Sequence, residues 1–221
     1  MHPALMLLMS TEPEFVLNIP SSVNSPKLRT LAVAAGWNTT APVRVNITAP
    51  YVGGLRLAST DSFPGGIRID IAAGSNVVGI GAGGTAFKVQ QPVVVDNHGG
   101  MLGGGGLGGR GGYAMYGSVS AAGGTGGYGQ GMSGSSTTIE GPYQGQAGQT
   151  VTDGGFPPAY TLSGGRGGDG GQLGQKGFNG AAGSTNGGPG TAYPGEEGNP
   201  PGLAVDGYSY VTWLNQGVLK G

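Results

Sequence analysis

Three stretches of this sequence carry residue types that could do chemistry. Gly164-Gly165-Arg166-Gly167-Gly168-Asp169 begins like one turn of a calcium-binding β-roll, in which an Asp and backbone carbonyls hold a hard cation. That pattern calls for an apolar residue two positions after the Asp; Gly171 stands there, and no tandem copy follows. Gly79-Ile80-Gly81-Ala82-Gly83-Gly84 fits G-x-G-x-x-G, the turn that cradles phosphates in dinucleotide folds. No amphipathic helix follows it, so no helix N-terminus faces a pyrophosphate. Glu196-Glu197 could supply the carboxylate pair of a glycan hydrolase. As neighbours in a Pro/Gly-rich loop they fix no separation across a glycosidic bond, and they read as solvated. His2 and His98 are the only histidines, His98 reads as a strand end, and no G-x-S-x-G elbow occurs. The expectation is therefore no enzyme, no catalytic residue, no metal and no cofactor.

The whole composition points away from chemistry and toward architecture. Of 221 residues 52 are glycine, near a quarter, where ordinary chains carry about 7%. Charged residues make up 10% and the net charge is -1, too sparse and balanced for a phosphate-binding footprint, so nucleic acid is not an expected partner. No cysteine is present, which excludes a disulfide framework and thiolate metal sites. No apolar stretch approaches the ~20 residues of a membrane span. Met1 to Met9 lacks the basic region and longer apolar core of a secretory signal, and reads as a short apolar tip that a partner could bury, or as sequence preceding a start at Met9.

The glycines are unevenly placed. Residues 99–202 hold 39 of the 52, the first 98 residues 10 and the last 19 only 3. The chain thus divides into 1–98, a β-rich N-terminal part; 99–204, a glycine-dominated middle; and 205–221, a C-terminal strand that packs back on the scaffold. In the first part Glu14–Ile19 reads as a strand. Ser25-Pro26 opens a helix carrying Leu28, Leu31, Ala32 and Ala35, which Gly36 stops. Val43/Val45/Ile47, Leu55/Leu57 and Ile67/Ile69/Ile71 alternate with polar residues, as half-buried strands do. A weak repeat links distant segments. Val93 to Asn97 and Val211 to Asn215 each end in Asn-x-Gly, then an apolar pair and a further glycine, with Asn76-Val77-Val78-Gly79 a looser copy.

Within the middle the phase of the glycines is informative. Gly165, Gly168, Gly171, Gly174, Gly177, Gly180 and Gly183 recur every third residue, as do Gly100 to Gly112 and Gly123 to Gly129, with second rows beside them. Period three suits neither an α-helix nor a strand. It suits a polyproline-II-type helix of three residues per turn, whose glycine rows are bare faces that let neighbouring backbones bond to one another. Collagen would need abundant proline, absent between Ala159 and Gly188, and a disordered linker would show more serine monotony and fewer aromatics. The fold class expected is mainly β and irregular: a small β-rich N-terminal domain, then a polyglycine-II helix bundle with aromatic loops, then a C-terminal strand. The longest run is expected to bend near Gln172-Leu173. Tyr113, Met115, Tyr116, Ile139, Tyr143, Phe156, Tyr160 and Tyr193 lie between the glycine runs, where a rigid scaffold would present them for binding.

Glycine blocks of period three separated by aromatic loops resemble the receptor-binding adhesins of tailed bacteriophages, in particular the glycine-rich tips of T-even-like long tail fibres. Leu28-Arg29-Thr30-Leu31-Ala32-Val33-Ala34-Ala35-Gly36-Trp37 and Val205-Asp206-Gly207-Tyr208-Ser209-Tyr210-Val211-Thr212 resemble glycine-rich phage tail proteins as well. The resemblance implies an N-terminal region attached to a tail-fibre or tail-tip protein, with Leu7, Phe15 and Trp37 as candidate attachment residues. It implies that the aromatic loops contact an outer-membrane protein or surface glycan of the host, at the distal end of the tail in the virion. It leaves open a monomeric cap or one protomer of a homotrimer. A purely structural tail-tip protein and an ice-binding protein are the alternatives; glycine-rich ice-binding bundles usually carry cysteines.

Overall fold

The computed structural model describes residues 13–153, 160–187 and 190–221. β1 (Phe15–Ile19) and β2 (Val23–Asn24) precede α1 (Leu28–Ala34). Then come β3 (Val43–Ile47), β4 (Tyr51–Gly53), β5 (Leu55–Leu57), β6 (Ile67–Ile71), β7 (Asn76–Val78), β8 (Phe87–Val89), β9 (Val93–Asn97) and β10 (Gly100–Leu102). The glycine-rich middle carries β11 (Ala114–Tyr116), β12 (Val119–Ala121), β13 (Gly131–Met132), β14 (Ile139–Glu140), β15 (Thr150–Asp153), β16 (Tyr160–Ser163), β17 (Ser184–Asn186) and β18 (Thr191–Ala192). β19 (Val205–Asp206), β20 (Val211–Asn215) and β21 (Val218–Lys220) close the chain. Three parallel sheets, β1-β3-β6-β9-β20, β2-β4-β7-β10-β21 and β5-β8-β19, wrap one core.

This architecture overturns the fold class expected from sequence. The protein is a β-solenoid of about three turns, nearly all β with one α-helix among the described residues, and not a small N-terminal domain followed by a polyglycine-II helix bundle. The turns β3-β4-β5, β6-β7-β8 and β9-β10-β19 are three-sided. The third is interrupted after β10 by the glycine-rich stretch and resumes at β19. The physical reason is side-chain stacking in register. Leu17, Val45, Ile69, Val95 and Trp213 form one column, and Val23, Val52, Val77, Met101 and Leu219 another. In β3, β6 and β9 buried apolar residues alternate with outward ones. A strand alone cannot cover its apolar face; the next turn covers it.

The outward residues of the first sheet make a ladder of charge across strands. Arg44 Nε donates to Asp70 Oδ2 at 2.5 Å, Arg68 Nε to Asp70 Oδ1 at 2.6 Å and Arg68 Nη2 to Asp96 Oδ2 at 3.0 Å. The hydrogen bond to Asp70 holds the Arg68 guanidinium above its ordinary value. Asp70 serves both arginines from a side chain only 17% exposed, whereas the arginines are about a third open to water. Asp70→Asn keeps the shape and removes the shared charge. It should lower stability by about 1 kcal/mol after solvent screening, with the deficit shrinking in high salt; urea midpoints at two ionic strengths check this.

The helix differs from expectation at its start. It begins at Leu28 with Lys27 as N-cap and no side-chain cap, because Ser25 is held by its backbone N–H to the Gly53 carbonyl at 2.7 Å as β2 ends. Its stop is as expected: Gly36 sits at φ 96°, in the left-handed region that favours glycine.

Candidate functional site

In the glycine-rich stretch the segments 103–113, 122–130, 142–149, 164–172, 175–183 and 193–202 lie side by side, each bonded laterally to its neighbours. Gly105, Gly108 and Gly111 donate to the carbonyls of Gln130, Gly127 and Gly124 at 2.7, 2.9 and 2.8 Å. Gly106, Gly109 and Gly112 donate to Gln175, Phe178 and Ala181 at 2.9, 2.9 and 2.8 Å. Gly165, Gly168 and Gly171 return bonds to Gly112, Gly109 and Gly106 at 2.7, 2.8 and 2.9 Å. Bare Cα positions are compulsory here. A Cβ on Gly105, Gly108 or Gly111 would strike the carbonyl oxygen of Gly171, Gly168 or Gly165, and one on Gly106, Gly109 or Gly112 that of Asn199, Glu196 or Tyr193. The long glycine run reverses at Gln172–Gly174, where Gln175 N–H bonds the Gln172 carbonyl at 2.9 Å.

The alternating direction of the segments sorts the loops onto two ends. The block is rooted in the solenoid by Gly103 N–H to the Lys220 carbonyl, Gly83 N–H to Gly105 and Gly104 N–H to Gly84, at 2.8, 2.9 and 2.7 Å. The β13–β14 loop lies at that root: Asn24 Nδ2 donates to the Ser133 and Ser136 carbonyls at 2.6 and 2.5 Å, and Met132 N–H bonds Gly79. The β11–β12 turn and the strands β15, β16, β17 and β18 lie at the far end. There two small sheets, β12-β11-β18 and β15-β16-β17, meet over buried Ala114, Ala121, Tyr160 and Leu162.

The sequence-selected aromatics fall in different places. Tyr113 and Tyr193 stack at 4.1 Å where their segments reach the far end. Partial removal from water and a hydrogen bond with the Tyr193 hydroxyl raise the Tyr113 phenol. Tyr116, 41% exposed, stands edge-on to Tyr160 at 5.0 Å, and Met115 is half-buried beside it. Tyr160 is buried and supports rather than faces solvent. Ile139 sits at the root, paired with Met132, while Tyr143 is exposed on the flank, its N–H bonded to the Tyr128 carbonyl. Phe156 and Leu7 lie outside the described residues. Phe15 is half-buried against the solenoid core. Trp37 is buried, its Nε1–H bonded to the Ala41 carbonyl at 2.9 Å and its ring stacked on Phe63 at 5.3 Å. Sequence reading passed over Tyr128 and Phe178, 65% and 64% exposed on the flanks. The signal was available for Tyr128, which belongs with Ala122 and Thr125 to the row that is not glycine.

With this geometry, one comparison decides the family. The family described as Phage tail fibre adhesin Gp38 matches residues 14–221. The chain belongs to this family. No curated protein gives a significant match. A solved structure, the gp37-gp38 adhesin tip complex of the bacteriophage S16 long tail fiber, contains a chain of similar fold. It is 18% identical, the match covers 94% of this chain and 82% of that one, and the TM-score is 0.54. The adhesin is thus a receptor-binding component of the virion, at the distal end of a tail fibre.

In the adhesin the residues that could have done chemistry hold structure. Asp169 Oδ1 accepts from Arg166 Nη2 at 2.7 Å and from Gly145 N–H at 3.0 Å. Glu197 pairs with Lys176 at 2.9 Å, which holds its carboxyl below the usual range. His98 bridges Asp96 and Asn215, both at 3.0 Å. The 79–84 turn seats the glycine block through the Gly83 N–H and the Gly84 carbonyl. Among the described residues no group of three or more His, Cys, Asp or Glu could hold a metal.

Proposed function

We propose that the adhesin grips its host receptor with the far end of the glycine block, and that it does so by binding alone, without a bond-breaking step. The observation that carries this is the gathering of the two small sheets β12-β11-β18 and β15-β16-β17 at the end away from the solenoid, with Tyr113 and Tyr116 44% and 41% exposed there. Tyrosine offers large contact area at low entropic cost, and loops held by a backbone-bonded block are ordered before they bind. The receptor would be an outer-membrane protein or a surface glycan of the host. The solenoid would seat the adhesin on a tail-fibre protein, as the S16 chain of similar fold is seen in complex with gp37. Several fibres on one particle would multiply modest single affinities.

Tyr113→Ala/Tyr116→Ala should weaken host-cell binding by at least about tenfold, the loss of one modest hot spot. Tyr128→Ala/Tyr143→Ala, on the flank, should leave it within twofold. Labelled adhesin titrated onto host cells reads both. Undiminished binding of the first pair, with loss in the second, would move the contact from the far end to the flank.

A further inference from the structure

We propose that the outer face of the first sheet carries a second binding groove, separate from the far end of the block, which takes a neutral, hydroxyl-rich sugar. The groove holds about 310 Å³, at the low end of the ~300–1,000 Å³ of small-ligand sites. Its floor is a column of outward side chains in register. Asn18 stands opposite Asn46, Asn46 opposite Asp70, and Asp70 opposite Asp96, at the ~4.8 Å step between strands. Arg44 lines one side. Thr48, Ala72 and His98 line the other, each the first residue after its strand, at the same corner in three successive turns.

The polar groups of this floor are aimed before any ligand arrives. Arg44 and Arg68 hold the Asp70 carboxylate, and Arg68 and His98 hold that of Asp96. Asp70 Oδ1 and both Asp96 oxygens take one bond each in this ladder and keep a lone pair to offer. The amides beside them are less engaged. Asn46 Nδ2 donates to Asn18 Oδ1 at 3.2 Å. Among the described residues no protein group bonds the Asn46 Oδ1, the Asn18 Nδ2 or the Thr48 hydroxyl.

The charge of the groove selects the ligand. Arg44 and Arg68 offset Asp70 and Asp96. A phosphate would be repelled by the two carboxylates of the floor, and a cation would compete with arginines already paired to them. An apolar ligand would strip water from these groups and return no hydrogen bond. A sugar matches them. Its hydroxyls donate to the carboxylates in charge-assisted bonds, and they accept from the Asn18 amide and the Thr48 hydroxyl. The fixed arginine ladder spares the ordering that such contacts otherwise cost. The groove lies on the solenoid, away from Tyr113 and Tyr116, so this site and the far-end grip can fail separately.

The test is a titration of the full-length, nitrogen-15-labelled chain, followed by the amide signals of Asn18, Asp70, Ala72 and His98. The probes are the methyl glycosides of glucose, galactose and mannose, an oligosaccharide released from the host envelope, and inorganic phosphate. At least one glycoside should give saturable shifts at these positions, with a Kd on the order of millimolar for so small a ligand. Asn46→Leu, close in shape, should weaken that binding tenfold or more, and Thr48→Val at least threefold. Arg56→Gln, exposed on the third sheet, should leave it unchanged. If Asn46→Leu loses amide protection in β3, Thr48→Val carries the test. Tighter binding of the oligosaccharide than of any glycoside would support a cell-surface source; equal binding would support the free sugar as occupant. No saturable shift with any sugar would overturn the inference. So would sugar binding that survives in both groove variants, or phosphate shifting the same signals as strongly as sugar. None of these outcomes bears on host-cell binding by Tyr113→Ala/Tyr116→Ala, which tests the far end alone.

Discussion

Gly168→Ala should dissolve the glycine block and take host binding with it, while the solenoid stays folded. Gly168 lies where segments converge. Its N–H donates to Gly109 at 2.8 Å, its carbonyl accepts from Gly127 at 2.8 Å, and a Cβ on it would strike the Phe178 carbonyl. In an ordinary core an added methyl costs about 1–3 kcal/mol, because side chains can turn aside. Here the obstacle is peptide backbone, which has no rotamer to change, so neighbouring segments must part. Each lateral bond given up adds about 1 kcal/mol, for a total of roughly 3–5 kcal/mol. With the block loosened, the far-end loops lose their common anchor, and binding to host cells should fall by about a hundredfold or more, some 2.7 kcal/mol. Gly134→Ala is the matched control. Its Cβ would meet only Ile80 Cγ2 at 3.9 Å, so stability should move by less than about 0.5 kcal/mol. Hydrogen exchange resolved by segment separates block from solenoid. Wild-type protection across 103–113 and 164–172 in Gly168→Ala would show that the lateral lattice does not hold the block.

The same contrast explains what the residues disclosed in advance. Local features were legible because local physics sets them. Val43, Val45 and Ile47 alternate because every strand buries one side, and Gly36 ends α1 because the chain there turns left-handed. The solenoid was not legible because its decisive contacts join distant residues: Val95 stacks on Trp213 only after the whole glycine stretch has intervened. The Asn-x-Gly repeat was the trace of it. Asn97 Oδ1 accepts from Gly99 N–H at 3.0 Å and Asn215 Oδ1 from Gly217 N–H at 3.2 Å, the same corner in adjacent turns, and Asn97 Nδ2 ties the two through the Gln216 carbonyl at 2.7 Å. For the site, composition could select tyrosines but not sort them. Whether a loop reaches the far end or the root depends on whether an odd or even number of segments precedes it. That count places Tyr116 and Tyr160 together at one end and Ile139 at the other.

Phe87→Ala should destabilise the solenoid by about 4 kcal/mol, within the usual cost of deleting a buried phenyl ring. Phe87 is fully buried in β8, the middle strand of the third sheet, with Leu55 on one side and Val205 on the other. Its backbone and that of Ala86 also receive the returning chain. Phe87 N–H bonds the Ala204 carbonyl at 3.1 Å, and Ala86 N–H the Leu203 carbonyl at 2.9 Å. The cavity would open beneath β19, the strand through which the chain re-enters the solenoid after the glycine block. β20 and β21 stack on earlier turns only once β19 is seated, so amide protection in 205–220 should fall before that in 43–71. Phe87→Leu, which keeps most of the volume, should cost less than about 1.5 kcal/mol. Urea unfolding gives the magnitudes and hydrogen exchange the order. Because each turn is covered only by its neighbours, damage at the re-entry point has to spread toward the C-terminal end first. Uniform loss of protection in all turns would mean that the solenoid unfolds as one indivisible unit instead.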